Sequence, residues 1–175
     1  MRWVAFAILL YVVIALQSAA TPFVAVNSIR PDLMVIVAVH YALAARAYDA
    51  LLACWFIGLA VDLVSMSYRG RANVGLHALT LSLLAMPIVK VRSFVFRDSI
   101  FTQLVFTFLA KLALDLIVGM HMMWAIQDWS RWGEVAATAV YAAIYTAVLA
   151  PYGHWFLRRL RGALGIGASH TLRVR

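Results

Sequence analysis

The feature that most constrains this chain is a series of long apolar runs, separated by short breaks of proline, glycine and charge. One bilayer-crossing helix needs about 20 apolar residues, so the runs account for most of the chain. Hydrophobic residues make up 65% of the sequence and the mean hydropathy is +0.90, which excludes a water-soluble globule. We therefore predict an all-α integral membrane protein, a single bundle of six transmembrane helices, over residues 3–20, 32–45, 49–66, 74–91, 99–126 and 134–157.

Little of the chain remains outside these segments. The sequence has 175 residues, so no separate catalytic domain fits beside six crossings. Residues 1–161 are predicted to form the transmembrane domain. Residues 162–175 are predicted to be a disordered cytoplasmic tail, because its glycines discourage a long helix. The first 21 residues also have the pattern of a cleavable signal peptide, but their apolar stretch is about long enough to span, which favours a retained first helix.

Positive charge is divided unequally between the loops on the two sides of the predicted bundle. One side carries ten lysines and arginines, namely Arg2, Arg46, Lys90, Arg92, Arg97, Arg158, Arg159, Arg161, Arg173 and Arg175. The other side carries four, namely Arg30, Arg69, Arg71 and Arg131. Because cytoplasmic loops carry the excess of Lys and Arg, both termini are expected in the cytoplasm. The formal charge of +8 is then explained by the anionic membrane surface, and nucleic-acid binding is not predicted.

Three ionisable side chains fall inside the predicted helices, where each costs about 2.5 to 3.5 kcal/mol on insertion scales. They are Asp62 on the third helix and Lys111 and Asp115 on the fifth. Gly58 lies one turn before Asp62 on the same face, which favours the close approach of another helix. We predict that the three charged residues form a triad bridging the two helices. A structural ion pair is favoured over a proton or ligand role.

Catalysis and metal binding are less well supported. Two aspartates in a small membrane protein could activate water, as in lipoprotein signal peptidases. The asparagines that this family carries near each aspartate are missing here, and Lys111 would keep Asp115 ionised. His121 lies among methionines, but no second His or Cys stands at ligand spacing. We therefore predict no enzymatic activity, no cofactor and no metal.

Short motifs in residues 30–91 carry a family resemblance. Arg30-Pro31-Asp32 opens the second helix, and Gly58 followed by Asp62-Leu63 lies near the end of the third. After a short loop comes Gly75-Leu76-His77-Ala78-Leu79, in which His77 stands where the family pattern has Asn. Together these motifs resemble the rod shape-determining protein MreD family.

This resemblance implies a function and a set of partners. Proteins of the family belong to the cell-wall elongation complex of the bacterial inner membrane, with MreC, the MreB filament, RodA and the penicillin-binding transpeptidase. The chain is therefore predicted to be a non-enzymatic scaffold. The alternative is the vitamin-binding membrane subunit of an energy-coupling-factor type transporter, which has a similar hydropathy. The two differ in one feature, because a transporter subunit needs an outward-facing cavity for a small molecule.

The motifs also have local physical roles. Pro31 suits the first turn of a helix, where its missing N–H is no loss, and Asp32 favours the positive end of the helix dipole. Gly75 is expected to close a loop and to start the fourth helix near a neighbouring backbone. The predicted structural or interaction residues are Arg30, Pro31, Asp32, Gly58, Asp62, Gly75, His77, Lys111 and Asp115.

Overall fold

The computed structural model describes residues 1–25, 29–69, 75–94 and 99–165. Within these ranges the chain forms seven α-helices and no sheet. In chain order they are α1 (Trp3–Val24), α2 (Leu33–Ala44), α3 (Ala47–Arg69), α4 (Leu76–Val91), α5 (Ile100–Ile126), α6 (Trp132–Arg159) and α7 (Arg161–Leu164). Every predicted apolar segment is helical, which confirms the all-helical class.

The six helices differ in their ability to cross a bilayer. Among the described residues, three stretches are long and apolar enough to do so, Ala47–Ser65, Ile100–Ile126 and Trp132–Arg159. The 12 residues of α2 and the 16 residues of α4 rise only about 18 Å and 24 Å, less than the roughly 30 Å of a hydrocarbon core. A helical membrane protein is therefore supported, whereas a bundle of six full crossings stays a prediction.

The short helix α2 lies at the centre of the bundle. It packs against α1, α3, α4, α5 and α6. Every residue from Met34 to Leu43 is buried, so α2 has no lipid-facing side. A helix that is apolar on all faces is expected in such a position, because the surrounding helices cover its whole circumference.

Several contacts bring separate segments of the chain together at one end of the bundle, which we call the α7 end. The Arg2 N–H donates to the Leu164 carbonyl at 3.0 Å, and the Met1 amino group lies 3.8 Å from the Asp49 carboxylate. The Arg92 guanidinium donates to the carbonyl oxygens of Ala42 and Ala45. The start of α1, the α2–α3 hairpin, the end of α4 and α7 thus lie together, as the charge distribution predicts.

Central helix α2 runs parallel to α6, and two polar contacts join them. The Asp32 N–H donates to Thr146 Oγ1 at 3.1 Å, and His40 Nδ1 lies 3.0 Å from His154 Nδ1. The partners are 114 positions apart in both contacts, so the helices stay in register over two turns. Gly153 allows this approach, because a Cβ there would lie 2.7 Å from Ile36 Cγ2.

The chain after α6 turns back onto the bundle. Leu164 of α7 is buried and packs beside the start of α1. Of the predicted tail, residues 162–165 are described; Leu164 packs against the bundle, whereas Gly162 and Ala163 are exposed. Residues 166–175 lie outside the described residues, and so does the rest of that prediction.

Candidate functional site

The polar side chains inside the bundle lie at one level along its axis. With a rise of 1.5 Å per residue, Asp62 lies about 22 Å from the first residue of α3, and Asp115 about 22 Å from the first residue of α5. His77 lies about 21 Å before the last residue of α4, and Asp32 about 18 Å before the last residue of α2. The end of α2, the start of α3 and the end of α4 lie at the α7 end, and α5 begins at Ile100, nine positions after the end of α4. We call this level the polar layer; its members are Gln17, Asp32, Asp62, His77, Lys111, Asp115 and Thr146.

Asp32 begins α2 as its N-cap residue. Its Oδ1 accepts hydrogen bonds from the N–H groups of Met34 at 3.1 Å and Val35 at 3.2 Å. An N-cap carboxylate satisfies amides that have no partner within the helix and favours the positive end of the helix dipole. The predicted role of Asp32 at the dipole is therefore confirmed, whereas Pro31 precedes the cap and does not occupy the first turn.

The second oxygen of Asp32 forms an ion pair with α5. Lys111 Nζ donates to Asp32 Oδ2 at 2.9 Å and to Asp115 Oδ1 at 2.8 Å. Lys111 is 8% exposed, so the ammonium group is held between two carboxylates inside the bundle. The predicted contact between Lys111 and Asp115 is confirmed. The other partner of Lys111 is Asp32, the N-cap residue of the central helix.

Two further helices hold the backbone around Asp32. On α1, Gln17 Nε2 donates to the Pro31 carbonyl at 3.0 Å, and Gln17 Oε1 accepts from the Leu33 N–H at 2.9 Å. On α6, Thr146 Oγ1 accepts from the Asp32 N–H. Non-helical backbone at this depth needs such partners, because lipid offers none. The Arg30-Pro31-Asp32 motif is thus anchored to α1, α5 and α6, while the Arg30 side chain is exposed.

Asp62 caps the start of α4. Its Oδ2 accepts from the N–H groups of Gly75 at 2.8 Å and Ala78 at 3.3 Å. Its Oδ1 accepts from the His77 N–H at 3.3 Å and lies 2.7 Å from His77 Nδ1. One carboxylate from α3 therefore satisfies three amides at a helix N-terminus, where the dipole also favours negative charge.

Two glycines make this arrangement possible in different ways. A Cβ on Gly58 would lie 2.5 Å from both Ala78 Cα and the His77 carbonyl oxygen, so α3 and α4 touch through their backbones there. This confirms the predicted close approach at Gly58. Gly75 adopts a left-handed conformation with φ of 97°, which glycine allows at little cost. The start of α4 does lie against a neighbouring backbone, as predicted, but the glycine that makes room for this contact is Gly58, since no described atom lies near the Cβ position of Gly75.

The predicted triad of Asp62, Lys111 and Asp115 is wrong in its first member. Asp62 binds the start of α4, and Lys111 binds Asp32 instead. The physical reason is that the amides at the α4 N-terminus need an acceptor, and Asp62 faces them from α3. Helical spacing showed the charged faces of α3 and α5 but not which neighbour each face meets.

One buried pair was not predicted. His40 and His154 are 2% and 1% exposed, and with their Nδ1 atoms 3.0 Å apart one ring must donate and the other accept. His40 is therefore a hydrogen-bonded packing residue. No pattern in the sequence links it to His154, because the two lie on parallel helices far apart in the chain.

The described contacts of the layer are hydrogen bonds and ion pairs, most of them between helices. Within the described ranges, no group of three or more His, Cys, Asp and Glu side chains is placed to hold a metal ion. A void of about 10 Å³ lies between α2, α3, α4 and α5, with apolar lining that includes Ala38, Cys54 and Ala85. It has room for about one water molecule and its lining is almost wholly apolar, so it offers few groups to orient a ligand.

Comparison with known proteins gives one result. The family model described as rod shape-determining protein MreD matches residues 1–160. No curated protein and no solved structure matches the chain. The match covers all of the six long helices and every residue of the polar layer.

Proposed function

The chain belongs to the rod shape-determining protein MreD family, and we propose that it is a non-enzymatic membrane scaffold of the bacterial cell-wall elongation complex. The family match over residues 1–160 is the observation that carries this proposal. The partners that we propose are MreC, the MreB filament, RodA and the penicillin-binding transpeptidase. The scaffold brings them together without a reaction of its own.

The arrangement of polar groups supports a scaffold. Interior contacts around Asp32 and Lys111 join α1, α2, α5 and α6, and those of Asp62 join α3 to α4. Large apolar side chains are exposed along the outer faces of α1, α5 and α6. A rigid interior with apolar sides suits a protein that binds lipid and partner helices laterally, since helices in membranes associate through packing and polar contacts.

We propose that the protein lies in the bacterial inner membrane with both termini in the cytoplasm. One observation and one general rule support this orientation. Arg2, Arg92 and Arg161 all lie at the α7 end, where most of the basic residues are predicted to lie. Cytoplasmic loops carry the excess of Lys and Arg.

The experiment is a pull-down of the tagged protein from native membranes, with mass spectrometry of both the proteins and the small molecules retained. We expect MreC and the wall synthases to be enriched over an untagged strain, since a scaffold binds its partners stably. The vitamin-binding alternative predicts a retained small molecule and the energy-coupling subunits of a transporter. That result, without any elongation protein, would contradict the scaffold.

A further inference from the structure

Among the described residues, the charges of the polar layer do not balance. Asp32 and Asp115 share the single cation Lys111. Asp62 pairs with His77, which offsets that carboxylate only when its ring is protonated. Even then three carboxylates face two cations, and one negative charge remains. Arg30 is the nearest cation along the chain, but it makes no ion pair with any residue that the structure describes.

The open acceptor in the layer is on Asp115. Its Oδ1 accepts from Lys111, while its Oδ2 accepts no hydrogen bond from the described residues. The Asp115 side chain is 25% exposed, compared with 2% for Asp62, so the excess charge is accessible there. An exposed carboxylate oxygen at this depth of a 27-residue apolar helix is costly without a donor.

His77 adds a second open atom at the same level. Asp62 holds its Nδ1, so Nε2 is turned to the other side of the ring and bonds to none of the described residues. The His77 side chain is 21% exposed and lies close enough to Asp32 and Asp115 to interact electrostatically with both. Its position is set by three backbone amides acting through Asp62, so this side of the layer is preorganised.

Among the described residues, the helices around these atoms differ in how far they extend toward the end opposite α7. Helices α2 and α4 begin at the polar layer. By contrast, α5 continues for 11 residues beyond Asp115, about 16 Å, and α6 begins 14 residues before Thr146, about 21 Å. We call residues 116–126 of α5, which extend beyond the polar layer, the projecting half of α5. Asp115 lies where this projecting half begins, beside the starts of α2 and α4.

We propose that Asp115 binds a cationic side chain, lysine or arginine, of a partner protein that docks against the projecting half of α5. The partner's cation completes the charge balance of the layer and donates to Asp115 Oδ2. This inference rests on the proposed scaffold function, because it names the chemistry by which that scaffold holds one partner. A paired charge in an interface contributes specificity as well as affinity.

The test is the pull-down from native membranes repeated with Asp115→Asn and Asp115→Glu. The Asn variant keeps the bond to Lys111 but removes the charge, so at least one partner protein should fall about tenfold in yield. The Glu variant keeps the charge and should retain that partner. Asp128→Asn is the matched control and should change nothing, because Asp128 is a partly exposed acid in the α5–α6 turn that accepts hydrogen bonds from Ser130 alone among the described residues.

Melting temperatures of the purified variants separate docking from folding. Asp115→Asn should melt like the wild type, since it leaves no buried charge unpaired. If the wild type retains elongation proteins and Asp115→Asn retains them equally, this inference fails while the proposed function stands. If the wild type retains no elongation protein, the result contradicts the proposed function and, with it, this inference. If spermidine or free arginine raises the melting temperature through Asp115 while every partner survives Asp115→Asn, the cation is a small molecule and docking is overturned.

Discussion

Replacing Lys111 with methionine should lower the free energy of unfolding in detergent by about 3 to 5 kcal/mol. The change leaves Asp32 and Asp115 facing each other in the interior with no cation between them. Breaking a buried pair by removing one partner costs more than the pair contributes, because a desolvated charge remains. Chemical or thermal unfolding of the purified protein measures the loss.

Two variants identify the cause of that loss. Lys90→Met removes an exposed lysine at the end of α4 and should change stability by less than about 0.5 kcal/mol. Adding Asp32→Asn and Asp115→Asn to Lys111→Met should recover part of the stability, since no charge then remains unpaired. Equal losses for Lys90→Met and Lys111→Met would show that lost positive charge alone explains the effect.

Asp62→Ala should cost roughly 3 to 5 kcal/mol, because three amides and the His77 ring lose their acceptor together. Each unpaired buried donor carries a desolvation penalty of about 1 to 3 kcal/mol. Asp49→Ala, at the start of the same helix, is the matched control and should have a small effect, since its ion-pair distance is 3.8 Å and it is partly exposed.

The double variant Asp62→Ala with Lys111→Met tests which carboxylate the lysine binds. The two losses should add within about 0.5 kcal/mol, because the residues share no direct contact. Asp32→Asn with Lys111→Met should instead show strong coupling. A large coupling energy between Asp62 and Lys111, with none between Asp32 and Lys111, would contradict the pairing described above.

The apolar segments and their short connections could be predicted from the sequence. Hydropathy locates the six long helices, and the short break at residues 45–48 predicts the hairpin between α2 and α3. Helical spacing also predicts that Lys111 contacts Asp115 and that Gly58 lies at a close helix contact. These features depend on local sequence alone, which is why they could be predicted.

The contacts between helices could not be predicted in the same way. Asp32 could be expected at a helix start, but its bond to Lys111 depends on α2 beginning at the level of the middle of α5. The burial of α2 on all sides and the meeting of His40 with His154 depend on the order of helices around the centre. A single sequence shows the faces of a helix and does not show which neighbour covers each face.

The most direct test of the scaffold account is depletion of the protein from its host bacterium, with cell shape and the positions of RodA and the transpeptidase recorded together. We expect cells to lose their rod shape and both synthases to leave the lateral wall while their amounts stay normal, because a scaffold supplies position and not chemistry. Re-expression of the wild type should restore both, and Lys111→Met should not. Cells that keep their rod shape with both synthases in place after depletion would contradict the account.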